Sequence, residues 1–285
     1  MKLFIIILSL ITASVALAQT KKPKNFGKRT RPLYELGGGL LYTRFANYPG
    51  ASSSKEVVLP FPTAIYRGER LRLKREEGAR GIFYRGDRIE LDISFDGTLS
   101  SDGDDTKARE GMAKLDTLIE VGPRFLYNIA KVTKTNAWDF DFHLAGRIAT
   151  STGFFKDVYA RGYVLNPFFT VRTISLFTDD DLFAASMSIK YATKKWHDYY
   201  YTVNAKDATA SRPIYKAESG HAEMSYALFY NYPLKNDFYT FAGMIQSFYN
   251  HSANKDSPLL TKKINTAVVF GIYWNFYKSK QKVLD

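Results

Sequence analysis

The sequence predicts an all-β protein: a transmembrane antiparallel β-barrel of about 12 strands, with short periplasmic turns and long outer loops. Three observations lead there. Apolar and polar residues alternate with period two along most of the chain. Short connections alternate with long ones between those segments. Beyond the opening residues, no stretch approaches the roughly 18 continuous apolar residues of a membrane-spanning helix.

Lys2, the apolar run Leu3 to Leu8 and the small-residue pattern Ala16-Leu17-Ala18 make residues 1–18 a signal peptide, so the mature chain is exported. Residues 19–32 follow as a basic periplasmic tail with Lys21, Lys22, Lys24, Lys28, Arg29 and Arg31. The barrel is expected over 33–277, and a second basic tail, 278–285, closes the chain with Lys278, Lys280 and Lys282. Strands are placed at 33–44, 61–67, 70–77, 80–85, 88–96, 115–129, 138–150, 162–175, 182–194, 221–232, 238–250 and 264–277.

The alternation is plain from Trp138, where Phe140, Phe142, Leu144 and Ile148 face one way and Asp139, Asp141, His143 and Arg147 the other. It recurs at Ile89, Leu91, Ile93 and Phe95 against Glu90, Asp92, Ser94 and Asp96. Ile119, Val121, Phe125 and Tyr127 oppose Glu120, Arg124 and Asn128 in the same way. Gly68-Glu69, Gly86-Asp87, "AKVTKTNA", "TDDD" and "PLKND" are the short turns, whereas 45–60, 97–114, 151–161, 195–220 and 251–263 are the long loops. No segment reads as a helix covering a sheet. A secreted β-sandwich is the alternative, and a closed barrel in the outer membrane is preferred because it pairs every backbone group in lipid.

Composition narrows the chemistry. Cysteine is absent, which removes disulfides and thiolate metal sites. A net charge of +12 on an exported chain points to anionic polymers and outer-membrane lipid and away from nucleic acid. Aromatic residues make up 15% of the chain, as two interfacial girdles require. The four His are scattered, so no metal or cofactor is expected.

No catalytic residues are expected either, and a lipid-ester hydrolase with a Ser nucleophile and a His base is the least favoured reading. His251 and Ser252 are adjacent on a strand end and point to opposite faces, which prevents their pairing as base and nucleophile. His221, Glu223 and Ser225 share a face at spacing two, but that face is the lumen. With Asp139, Asp141, His143 and Arg147 they are expected as a polar ladder filling a narrow barrel. Acids Glu90, Asp92, Asp116, Glu120, Asp139, Asp141 and Glu223 and bases Arg70, Arg72, Arg124, Arg147, Arg172 and Lys190 are expected to pair and close the lumen. A small-solute pore is the competing reading.

The stretch "YYYTVNAKDATASRPIY", Tyr199 to Tyr215, falls in the longest loop. Its first tyrosines are expected to continue a strand end with rings at the outer interface, and Ser211-Arg212-Pro213 is expected to turn. This stretch folding over the mouth is the favoured role, with ligand contact second.

Four segments, taken in order, resemble the MltA-interacting protein (MipA/OmpV) family of outer-membrane barrels. They are Tyr48-Pro49-Gly50 with "VVLPFPTAIYRGERL", "KAREGMAKLDTLIEVGPRFLYNI", the tyrosine stretch, and Asp256-Ser257-Pro258-Leu259-Leu260. The charged 69–77 segment, the polar loop 97–105 and the basic C-terminal tail depart from the family pattern. The resemblance implies a non-enzymatic barrel that acts as an envelope scaffold, bringing a lytic transglycosylase and a peptidoglycan synthase together, or as a surface adhesin. It makes Tyr48, Gly50, Tyr200, Ser211, Pro213, Tyr215, Ser257 and Pro258 the candidate loop contacts.

Overall fold

A computed structural model describes residues 30–74, 78–99, 107–131, 138–153, 156–174, 176–178 and 181–284. The leader expected at 1–18, the basic residues up to 29 and most of the loop 97–105 lie outside them.

A short strand β1 (Thr30–Pro32) precedes the wall, which consists of β2 (Tyr34–Ala46), β3 (Ser54–Arg67), β4 (Leu71–Lys74), β5 (Gly78–Arg85), β6 (Ile89–Thr98), β7 (Thr117–Ala130), β8 (Trp138–Gly153), β9 (Lys156–Ile174), β10 (Leu182–Ala192), β11 (Gly220–Pro233), β12 (Phe238–Phe248) and β13 (Ile264–Lys278). These twelve strands form one closed antiparallel barrel in sequence order, sealed where β13 pairs with β2. The final strand β14 (Lys282–Leu284) pairs with β1, so the two basic ends, expected as loose tails, meet in a small sheet beside the short-turn end.

Exposure separates the barrel from the sandwich. On β6, Glu90, Asp92 and Ser94 are buried, Asp92 completely, while Leu91 and Phe95 are exposed at 41% and 58%. The same inversion holds on β8, where Asp141, His143 and Arg147 are buried and Phe140, Leu144 and Ile148 are exposed. A soluble sheet would bury the second set. An apolar outer surface around a polar interior is what a lipid solvent selects. The sandwich is thereby set aside.

The interior has two unlike halves. Strands β5 to β10 contribute most of the charged side chains. The other half is richer in apolar and aromatic ones, although Glu35 of β2, Arg67 of β3 and Glu223 of β11 also lie there. Phe61 of β3 meets Phe241 of β12 edge to face at 6.0 Å, and Tyr239 stacks on Tyr273 at 5.0 Å. Phe61 and Phe241 reach one another over Gly39 and Gly271, whose missing side chains leave room for the rings. Ile245, on the inward face of β12, is 48% exposed.

Two boundaries differ from expectation. β3 begins at Ser54 rather than 61, shortening the first outer loop to 47–53. Pro60 and Pro62 suggested a later start, because proline cannot donate to a ladder. Both have the same parity, so their missing N–H groups fall on one edge. β4 pairs with β3 only at Tyr66 and Arg67, so that edge carries little ladder to interrupt. The second lies at β9, which begins at Lys156 rather than 162 while β8 runs to Gly153; Thr152 pairs with Val158, so the expected long loop 151–161 is mostly strand. The longest loop, in turn, contains a helix, described below.

The seam between β13 and β2 rests on glycine. A Cβ at Gly37 would collide with the carbonyl oxygen of Trp274, and one at Gly39 with that of Ile272. Gly39→Val is expected to destabilise the barrel by about 1–3 kcal/mol, the usual cost of overpacking. A lower temperature of the heat-induced gel mobility shift than wild type would register it; an unchanged temperature would mean the seam has slack.

Candidate functional site

The charged half of the lumen is paired through. The Arg124 guanidinium grips Asp92 with two bonds of 2.9 and 2.7 Å, and Arg80 bonds Asp92 at 2.7 Å and also pairs with Glu90. Arg172 holds Asp141 at 2.9 Å with Asp139 beside it at 3.9 Å, and Asn128 donates to Asp141 from the neighbouring strand. Lys190 of β10 reaches Asp96 of β6 at 3.0 Å, although β7, β8 and β9 separate those strands around the wall. That contact therefore crosses the lumen. Arg147 and Lys190 both face Glu120, at 3.8 and 3.7 Å. Towards the other end, Arg67 pairs with Glu35 at 2.7 Å and Asn275 donates to the same carboxylate.

The expected ladder is thus partly assembled. Asp139, Asp141, His143, Arg147, Glu223 and Ser225 point inward: His143 bonds Thr170 and stacks on Phe168, and Ser225 bonds Ser188. His221 does not join them. Lys190 pairs with Glu223 but Tyr191 with His221, leaving Ala222 as an extra residue. This bulge turns His221 to the outer side, where its ring meets Tyr191 edge-on at 5.6 Å. Two expected lining residues also leave the set: Asp116 precedes β7 and its carbonyl accepts from Tyr199, and Arg70 sits in the turn after β3. Arg72, which donates to Gly68 O, stays on the inward face in register with Arg67 and Arg80. Arg80, Arg85 and Asp96 take places in the network that were not assigned to them.

Over the outer mouth the loops build a hydrophobic core of their own. Tyr48, Ala51, Leu115, Trp196, Tyr200, Tyr201, Ala217, Tyr249 and Leu260 come from different loops and are buried together on the strand ends Leu118, Ala149, Val164, Ala192 and Ala222. At its centre is the helix α1 (Lys194–Tyr201). Trp196 and Tyr200, four residues apart, lie on one face with ring centroids 4.8 Å apart, and His197 and Tyr201 repeat the spacing. The tyrosines expected as a strand end at the interface are therefore helical, and Tyr200 and Tyr201 are buried. The Trp196 indole donates to Glu120 at 2.9 Å and overlies Lys190, joining plug to lumen.

Polar contacts sew the loops together. Tyr48 donates to Leu259 O at 2.6 Å, Tyr201 to Pro49 O at 3.1 Å, and Ser257 to Tyr201 O at 2.8 Å. Gly50 adopts a left-handed φ of 79°, and a Cβ there would stand 2.8 Å from Leu260. Arg109 donates to Tyr200 O and Ala113 O, with its guanidinium over the Tyr48 ring. Arg212 donates to Ala108 O and Glu110 O. Val203 and Tyr215 exchange backbone bonds, so the tyrosine stretch doubles back at 210–211, a residue before the expected turn. Ser211 and Pro213 sit exposed at its tip, while Tyr215 bonds Asn254. Of the candidate loop contacts, Tyr48, Gly50, Tyr200 and Ser257 are buried in the plug and present no free surface. Burial pushes the hydroxyls of Tyr48 and Tyr199 up to about 12 and those of Tyr200 and Tyr201 further, and it depresses His197 and Arg109.

The profile of the family described as "MltA-interacting protein MipA" matches residues 36–276. A search of curated proteins finds no match. Among solved structures, the KdgM porin is similar at 10% identity, covering 86% of this chain and 99% of its own, with a TM-score of 0.33. A bacterial polysaccharide outer membrane secretin gives 9%, 87% and 99% with 0.36. Outer membrane phospholipase A from Escherichia coli gives 11%, 92% and 96% with 0.31. Likenesses this loose carry no argument about function.

The plug has a pH limit. A buried tyrosine whose folded value is raised keeps its proton when the unfolded chain has lost it, so its contribution is complete below about pH 10 and declines above. For Tyr48 the loss runs to about 12, at about 1.4 kcal/mol per pH unit. Protease cleavage within 202–216 is expected to rise between those values, and Tyr48→Phe to flatten the rise. A profile identical in wild type and variant would remove Tyr48 from this role.

Proposed function

The chain belongs to the MltA-interacting protein MipA family, and on that premise we propose that this outer-membrane barrel works by contact, as an envelope scaffold, rather than as a conduit or an enzyme. One observation carries the reading. The Lys190–Asp96 pair crosses the lumen beneath a plug that Trp196 ties to Glu120. A conduit would need that charge network to part.

The partner that the family's description suggests is a lytic transglycosylase, and the peptidoglycan synthase expected from the resemblance is a second. Both would meet the periplasmic end. There Lys282 of β14 and Lys280 just before it are exposed, and Lys278 pairs with Asp237 of the adjacent turn. Cationic side chains at that rim favour an acidic partner surface or the anionic cell wall through long-range attraction.

The non-enzymatic reading rests on the histidines. Nδ1 of His221 contacts the carbonyl of His251, Nε2 of His197 that of Gly220, and His143 lies in the lumen against Thr170. Ser252, the neighbour of His251, is buried in the loop core. A surface-adhesin reading would use the loop tip instead, where Ile214 is 60% exposed beside Ser211 and Pro213.

Two measurements on one set of proteins test the proposal. In planar bilayers the wild-type barrel is expected to give no large stable conductance steps, and deletion of 203–214 to introduce them. Immobilised barrel is expected to capture a purified lytic transglycosylase, and a Lys280→Glu, Lys282→Glu variant to capture several-fold less. Large steps from wild type, or capture that ignores the charge reversal, would overturn the conduit and contact arguments respectively.

A further inference from the structure

The outer wall carries a notch where β10 stops and α1 begins. Its volume is about 420 Å³, and it is lined by Gly146, Ile148, Tyr163, Leu165, Tyr191 and Thr193 together with the backbone beneath. Ile148, Tyr163, Leu165 and Tyr191 are all exposed, so the notch opens sideways, toward lipid, rather than into the lumen. Gly146 forms its floor, and a Cβ there would meet only open space.

Two β-bulges shape the walls. On β9, Ala149 pairs with Gly162 and Thr150 with Ala160, leaving Arg161 as the extra residue. On β11 the extra Ala222 turns His221 onto Tyr191. Gly162 has a φ of 100°, and the Cβ of Lys195 stands against it. Lys195 follows two residues after Thr193, which lines the notch, and so stands at its outer edge. Its neighbour Lys194 is tied to Asp198 at 2.6 Å, and Arg161 lies over the Tyr199 ring at 4.3 Å. Lys195 is exposed, and among the described residues it has no ion-pair partner.

An apolar slot at the level of the interfacial tyrosines, with one uncommitted ammonium on its outer rim, matches an anionic lipid in two places at once. The long loops mark this as the outer end of the barrel, where the leaflet consists of a phosphorylated glycolipid. We propose that the notch binds that glycolipid, with one acyl chain lying over Gly146 between Tyr163 and Tyr191 and a phosphate on Lys195. The lipid would then hold the first turn of α1, and through it the plug, against the membrane.

Native mass spectrometry of the full-length barrel in detergent, with added lipid A, dephosphorylated lipid A or phosphatidylglycerol, tests this. Wild type is expected to retain lipid A in preference to both others. Lys195→Glu should lower retention about fivefold, the contribution of one lysine near an anionic surface, and abolish the preference for the phosphorylated form. Gly146→Leu, which fills the floor, should lower retention at least as far. Intact heat-modifiable mobility verifies the barrel in each case; should Gly146→Leu lose it, the exposed Lys195→Glu decides alone. The proposal fails if wild type retains no lipid A, if phosphatidylglycerol is held equally well, or if Lys195→Glu retains lipid A as wild type does.

Discussion

Everything in this barrel depends on a charge having nowhere to go but inward. A carboxylate on the wall can face lipid, where it is prohibitively costly, or the lumen, where it must find a partner. Glu120 shows the consequence. It is almost wholly buried, and Arg147, Lys190 and the Trp196 indole converge on it from β8, β10 and α1. Removing any one base would leave the remaining charges uncompensated in a site water scarcely reaches. The network is therefore a poor place to look for net stability and a good place to look for register. Asp92 between Arg80 and Arg124 fixes β5, β6 and β7 relative to one another, because a one-residue slip of any one of them would turn its charge into the membrane and strand its partners inside.

The plug solves a different problem with the same materials. Long loops above a barrel have no second sheet to pack on, and a loop without a core leaves its carbonyls to water. Here the loops bring their own rings. Arg109 and Arg212 then spend their donors on backbone carbonyls of facing loops rather than on carboxylates. A guanidinium suits this task, since its rigid fork can bond two carbonyls while its plane rests on an aromatic face. The residues that carry the family resemblance, from Tyr48 and Gly50 to Arg109, Ser257 and Leu259, are mostly buried in this closure. Their pattern is accounted for by packing, with no external ligand needed to explain it.

Much of the wall was legible from residue order, and the reason is physical. Lipid outside and paired charge inside enforce alternation at nearly every position, so all twelve strands were placed, several to within two residues. What escaped depended on exceptions to that rule. Pro60 and Pro62 read as a strand boundary because the shortness of β4, which leaves them harmless, is a tertiary fact. The helix α1 spans barely two turns, and its pairs Trp196–Tyr200 and His197–Tyr201 are too few to outweigh the β-propensity of three tyrosines. His221 was assigned to the lumen by parity alone, and one extra residue reversed it. Arg80 stood at an expected strand start, and it shares its face with the apolar Ile82, so alternation gave no sign that it points inside.

The two halves of the interior divide the labour of closing the barrel. Where the charges sit, long arginine and lysine side chains cross the lumen, and the strands can stand apart. Where they do not, glycines at 37, 39 and 271 bring β2 and β13 close, and rings from β3 and β12 fill the space above them. The division is one of emphasis: a Cβ at Gly122 of β7 would meet Gly146 O as closely as one at Gly37 would meet Trp274 O, and Glu35 and Arg67 pair beside the glycine seam. The asymmetry has a functional consequence. α1 stands over the charged side, tied to Glu120, so any force on the outer loops is passed to the ion-paired strands. The seam between β13 and β2 is coupled to the same helix by another route, since the Tyr201 hydroxyl donates to Pro49 O and its carbonyl accepts from Ser257, in the loops that leave β2 and enter β13.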